Sequence, residues 1–125
     1  MTKSRLLHLA LYTLILIVAL SCGPWYNEPS PLRFTPSELP EAQLGQPYDV
    51  TIKVLNNNTP IGSFYLVGDP PAGLTFTSEL GQPTAHIQGT PQIIGTFSLT
   101  LTARCEGTNV SGQVGSITYQ LVVAE

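Results

Sequence analysis

His8, His86, Cys22 and Cys105 are the only histidines and cysteines in this 125-residue chain, and their number and spacing limit the chemistry it can do. A zinc site takes three or four protein ligands from Cys, His and carboxylates, and the segment from residue 37 to 125 offers one histidine and one cysteine. A thiolate–imidazole nucleophile would need Cys105 and His86 on one side of the fold. His86 stands beside Ile87 in an alternating stretch and turns outward, whereas Cys105 falls in the inward set of its own stretch. Asp49, Asp69, Glu79 and Glu106 are isolated and form no D-x-D, so no local motif assembles the six or more oxygens that calcium takes. No spacing suggests a carboxylate pair for glycoside hydrolysis. The inventory points away from an enzyme and implies neither a metal nor a cofactor. Asn57-Asn58-Thr59 and Asn109-Val110-Ser111 fit the glycosylation pattern formally and read as chance matches.

The N-terminus carries a different chemistry. Lys3 and Arg5 precede an apolar run from Leu6 to Leu20, followed by Ser21 and Cys22. A basic head, a short apolar stretch and a small residue before a cut describe a secretory signal. The run is shorter than the roughly 20 apolar residues an ordinary membrane-spanning helix needs. Ala19-Leu20-Ser21-Cys22 resembles the lipobox of bacterial lipoproteins, with Ala19 in the outer place where that family most often has Leu. The resemblance implies removal of residues 1–21 and acylation of Cys22 as the first residue of the mature protein. Gly23, in the place where Asp often retains such proteins in the inner membrane, then favours the outer membrane, on its periplasmic or cell-surface face. Two or three acyl chains, at about 0.8 kcal/mol per buried methylene, hold a protein on a membrane almost permanently. An ordinary signal peptide cut near a cysteine is the alternative. Acylation leaves Cys105 without a partner in its own chain, as a small buried apolar residue; a Cys22–Cys105 disulfide is the mutually exclusive rival.

Behind the signal, residues 22–36 read as a lipidated cysteine and a proline-rich tether, and 37–125 as one domain. Pro24, Pro29 and Pro31 keep the tether extended. Trp25 and Tyr26 suit either a lipid interface or a short segment recognised by a partner. Loss of the signal leaves Arg33, Lys53 and Arg104 against eight acidic residues, so nucleic acid is not an expected partner.

From residue 37 on, the apolar period is two. Tyr48, Val50, Ile52 and Val54 line one face of a strand; Phe97, Leu99, Leu101 and Ala103 line another; Ile117, Tyr119, Leu121 and Val123 a third. Shorter strands are predicted at Leu32–Thr35, Ser63–Val67, Leu74–Thr77 and His86–Gln88, with turns at Asn56–Pro60, Gly68–Gly73 and Glu106–Gly112. About seven strands make an all-β, antiparallel two-sheet sandwich.

Pro71-Ala72-Gly73-Leu74, then Gly81, then Ile87-Gln88-Gly89-Thr90-Pro91, then Gly95-Thr96-Phe97, resemble in order the bacterial Ig-like modules related to the cadherin-like domains of dystroglycan. Gly45-Gln46-Pro47-Tyr48 matches the G-x-x-Y that opens their second strand. The resemblance implies an Ig-like or cadherin-like fold over residues 37–125 and leaves function open. A non-enzymatic envelope protein is expected, an accessory or structural subunit that binds another envelope protein. A surface adhesin or carbohydrate-binding module is the alternative, for which Tyr65, Tyr26 and Trp25 are the available aromatic residues. Alternation turns Tyr65, Val67 and Val122 outward, and these three are the candidate partner-binding residues, on one face beside Thr100 and Thr102. The loops Asn56–Ile61 and Glu106–Gly112 are further candidates.

Overall fold

The computed structural model describes residues 29–107 and 112–125; the signal, Cys22, Trp25, Tyr26 and Asn109-Val110-Ser111 lie outside them. The described residues form eight strands: β1 (Arg33–Thr35), β2 (Ala42–Gln43), β3 (Tyr48–Leu55), β4 (Ile61–Val67), β5 (Leu74–Ser78), β6 (Thr84–Gly89), β7 (Gly95–Cys105) and β8 (Val114–Ala124). They make two four-stranded sheets, ordered β1-β3-β6-β5 and β2-β8-β7-β4. Among the described residues no helix is long and apolar enough to cross a membrane.

Alternation builds the core. Ile52 and Ile87 from the first sheet face Leu99, Leu101 and Leu121 from the second, all fully buried. Each such side chain contributes about 1.5–3 kcal/mol relative to leaving it in water. Phe97 and Ile117, at the margins of the inward rows, are half-buried against the same cluster. No polar or charged side chain is among the buried residues described. Leu32 and Phe34 are buried with this cluster, so the sandwich takes in residues that the sequence reading had placed in the tether.

The chain crosses between sheets after β1, and two tyrosines fix the crossing. Tyr119, on β8, donates its hydroxyl proton to the Pro36 carbonyl at 2.8 Å. Tyr48, on β3, donates to the Pro40 carbonyl at 2.9 Å. Burial without a neighbouring cation pushes both phenols up to about 12, since the charged form would lose its water.

The glycines singled out by the motif pattern meet each other. Gly73 (φ +92°) and Gly89 (φ +138°) lie where β5 and β6 begin and end side by side. The Thr90 amide donates to the Gly73 carbonyl at 3.0 Å, and the Gln92 amide to the Ala72 carbonyl at 2.8 Å. A Cβ on Gly73 would run into the Thr90 carbonyl, and one on Gly89 into the Gly73 carbonyl. Pro71 and Pro91 are fully buried beside this crossing.

The structure adds one short strand to those expected. The total is eight, because Ala42–Gln43 pairs with Val123–Ala124 as β2. That pairing is parallel, so the sandwich is antiparallel everywhere except at this edge. β8 begins at Val114 rather than Ile117, and β6 at Thr84 rather than His86.

Candidate functional site

His86 and Cys105 are held apart by the fold. His86 lies half-buried on the outer face of the first sheet, its Nδ1 3.1 Å from the Thr51 hydroxyl in the paired position of β3. Cys105 ends β7 in the other sheet, buried against the core. Burial raises its thiol pKa, and a hydrogen bond with the Thr59 side chain works in the opposite direction. Such a thiol is a poor nucleophile, because the reactive species is the thiolate. Among the described residues, no three His, Cys, Asp or Glu side chains converge as a metal site.

The outer face of β4, β7 and β8 does carry the three residues expected on it. Tyr65 pairs with Thr102, and Val67 with Thr100; across β7, Thr102 pairs with Ser116, Thr100 with Thr118, and Thr96 with Val122. Tyr65 is 56% exposed, Val67 68% and Val122 37%. They share a face without forming one patch. Val122 is four residues along β8 from Thr118, about 13 Å at the usual strand rise, and two strands away from Val67. The middle of the face is a ladder of hydroxyls: Thr100 to Thr118 at 2.9 Å, Thr102 to Ser116 at 2.7 Å, and Gln120 donating to Ser98 at 3.1 Å. Tyr65 is the exposed aromatic side chain of the described residues; Phe64, Phe76 and Phe97 are half-buried and Tyr48 and Tyr119 buried.

A polar clamp at one end of the sandwich went unread in the sequence. Gln113 donates to the Ser30 carbonyl at 2.7 Å and to the Asn56 carbonyl at 3.0 Å, while its own side-chain oxygen accepts from the Asn58 amide at 2.7 Å. Asn56, at φ +63°, donates to the Pro31 carbonyl at 3.3 Å. Thr59 donates to the Glu106 carbonyl at 2.7 Å. The incoming chain at Ser30 and Pro31 is thereby fixed between two loops. Much of the hydrogen-bonding capacity that the loop after β3 could offer a partner is already used inside the domain.

Along the flank, Ser37, Glu38 and Leu39 of the crossing segment and Thr118, Tyr119 and Gln120 of β8 line an open cleft of about 390 Å³. β2 pairs only with the last residues of β8 on this side, leaving most of that edge uncovered by a strand.

No family model matches the chain, and no curated protein matches it in sequence. Among solved structures it is similar to the titin M3 domain, at 18% identity and a TM-score of 0.52, covering 75% of this chain and 97% of that one. It is also similar to the SrpA adhesin from Streptococcus sanguinis, at 16% identity and a TM-score of 0.55, over 78% of this chain and 59% of the adhesin chain. The chain therefore spans less than two thirds of that adhesin's length. At these identities the likeness is one of fold. The described domain is an Ig-like β-sandwich.

Proposed function

We propose that the chain is a non-enzymatic envelope protein, anchored in the outer membrane through lipid on Cys22, whose single Ig-like domain binds another envelope protein as an accessory or structural subunit. Ala19-Leu20-Ser21-Cys22 supports the anchor, and the Pro71–Phe97 motifs support descent from the dystroglycan-type cadherin-like modules. The observation that carries the binding role is β4. It is the outer strand of its sheet, seven residues long, without a charged residue, and it displays Tyr65 and Val67. Edge strands present unpaired amides and carbonyls, and proteins ordinarily guard them with charge, proline or bulges. β4 has one irregularity, between Ile61 and Ser63, at the end away from Tyr65 and Val67. An extended segment of another protein can add to such an edge, with the flanking side chains setting specificity.

The test is purification of the full chain from detergent-solubilised membranes, beside a Tyr65→Ser, Val67→Ser, Val122→Ser variant. A specific protein that accompanies the native chain and is lost from the variant supports the proposal. A chain that purifies alone, or that brings the same proteins in both forms, overturns it.

A further inference from the structure

The fold gathers the basic residues at one end, where Glu79 and Glu106 also lie, and leaves the other end purely acidic among the described residues. Arg33, Lys53 and Arg104, the only basic residues from 29 on, stand toward the end where the chain enters at Ser30: Arg33 opens β1 opposite Leu55, Lys53 pairs with the first residue of β6, and Arg104 is next to last on β7. At the opposite end, Glu41 precedes β2, Asp49 follows the first residue of β3, Asp69 lies just beyond β4, and Glu125 follows β8. All four are exposed, and no lysine or arginine accompanies them.

Three aliphatic side chains stand exposed at that same acidic end. Leu44 is 41% exposed, Ile93 52% and Ile94 50%. They flank the close of β8. The Leu44 amide donates to the Ala124 carbonyl at 2.8 Å, and Gly95, next to Ile94, pairs with Val123. The Gly45 amide reaches the Pro91 carbonyl at 2.9 Å, and the Gln92 amide the Ala72 carbonyl at 2.8 Å. Backbone hydrogen bonds thus hold the three loops and the strand end together, so the surface is formed before anything meets it.

We propose that this end is a docking surface for a basic protein surface, with Leu44, Ile93 and Ile94 as its apolar centre and Glu41, Asp69 and Glu125 as its rim. An apolar centre within a charged rim is the usual anatomy of a protein interface, and a rim of one sign steers a partner of the other and rejects its like. Two copies of this chain that faced each other through these ends would meet acid to acid, which disfavours a symmetric dimer there. The proposal does not depend on the β4 edge, because it involves other residues.

A photo-crosslinking residue, p-benzoylphenylalanine, placed at Ile93 of the full chain in the cells that make it, tests this directly. Illumination is expected to give a product with one protein, attached at a site among that protein's lysines and arginines. Its yield should fall about tenfold, the scale of electrostatic steering, when Glu41→Gln, Asp69→Asn and Glu125→Gln are combined, and should fall likewise as salt is raised with the acids intact. The same probe at exposed Thr77 on β5 should not give it. No product from position 93, a product with lipid or with a second copy of the chain, or a yield indifferent to both neutralisation and salt overturns the proposal.

Discussion

Tyr48 and Tyr119 belong to opposite sheets, yet their hydroxyls hold the two ends of one segment, at the carbonyls of Pro40 and Pro36. Both phenols are pushed up to about 12 from the ordinary 10. A group whose folded pKa is raised contributes stability that is complete below its unfolded pKa and lost as pH rises through the folded one. Unfolding free energy should therefore be flat below about pH 10 from these groups and fall between pH 10 and 12. Urea titrations across that range check this. Tyr119→Phe should cost about 1 kcal/mol at neutral pH, the usual worth of such a hydrogen bond, and should reduce the alkaline loss.

Gly73→Ala and Gly89→Ala should each destabilise the domain by about 2 kcal/mol or more, since a left-handed conformation and a backbone collision act together. Gly81→Ala is the control. Gly81 has φ +80° but open space around the added carbon, so it should lose only the conformational part, about 1 kcal/mol. Melting curves of the three variants give the order; equal losses at all three positions would refute the collision.

Leu99→Ala and Leu101→Ala remove fully buried side chains from the middle of β7. Each should cost about 2–5 kcal/mol, visible as a lowered melting midpoint. Thr100→Ala, between them on the hydroxyl ladder, should cost well under half as much. A threonine variant as damaging as the leucine variants would contradict the burial of this strand.

Cys22→Ala should abolish labelling by an alkyne fatty acid and release the protein into the soluble fraction. Unchanged membrane fractionation in that variant would remove the basis for the anchor.

The long strands were legible because alternation over seven or more residues has one physical reading, a sheet with a wet face and a dry one. β3, β7 and β8 declared themselves in this way. β2 could not, since Ala42 and Gln43 are too few to show a period and their pairing with Val123 and Ala124 is set by the tyrosine-held crossing that precedes them. Gly115 hid the beginning of β8: it interrupts the alternation, and the structure uses it to admit Leu32, whose Cβ lies 2.7 Å from where a side chain would begin. The outward direction of Tyr65, Val67 and Val122 was readable from parity. Their separation was not, because distance across a sheet depends on register. Gln113 lay beyond sequence reasoning for a related reason: its partners Ser30, Asn56 and Asn58 are brought to it only by the closed sandwich. The gathering of Arg33, Lys53 and Arg104 at one end is likewise a product of strand direction and leaves no trace in the linear order.

The Gln113 clamp also decides how the domain would respond to mechanical load. Traction on the residues before Ser30 is directed along β1, out of the end where that strand begins. β1 is bonded to β3 through three antiparallel positions, Arg33 with Leu55, Phe34 with Val54 and Thr35 with Lys53. If the domain is restrained at its opposite end, a pull in that direction shears these pairs together instead of peeling them one at a time, and Gln113 and Asn56 brace the point of traction before the ladder is strained. A domain strung this way yields late and all at once.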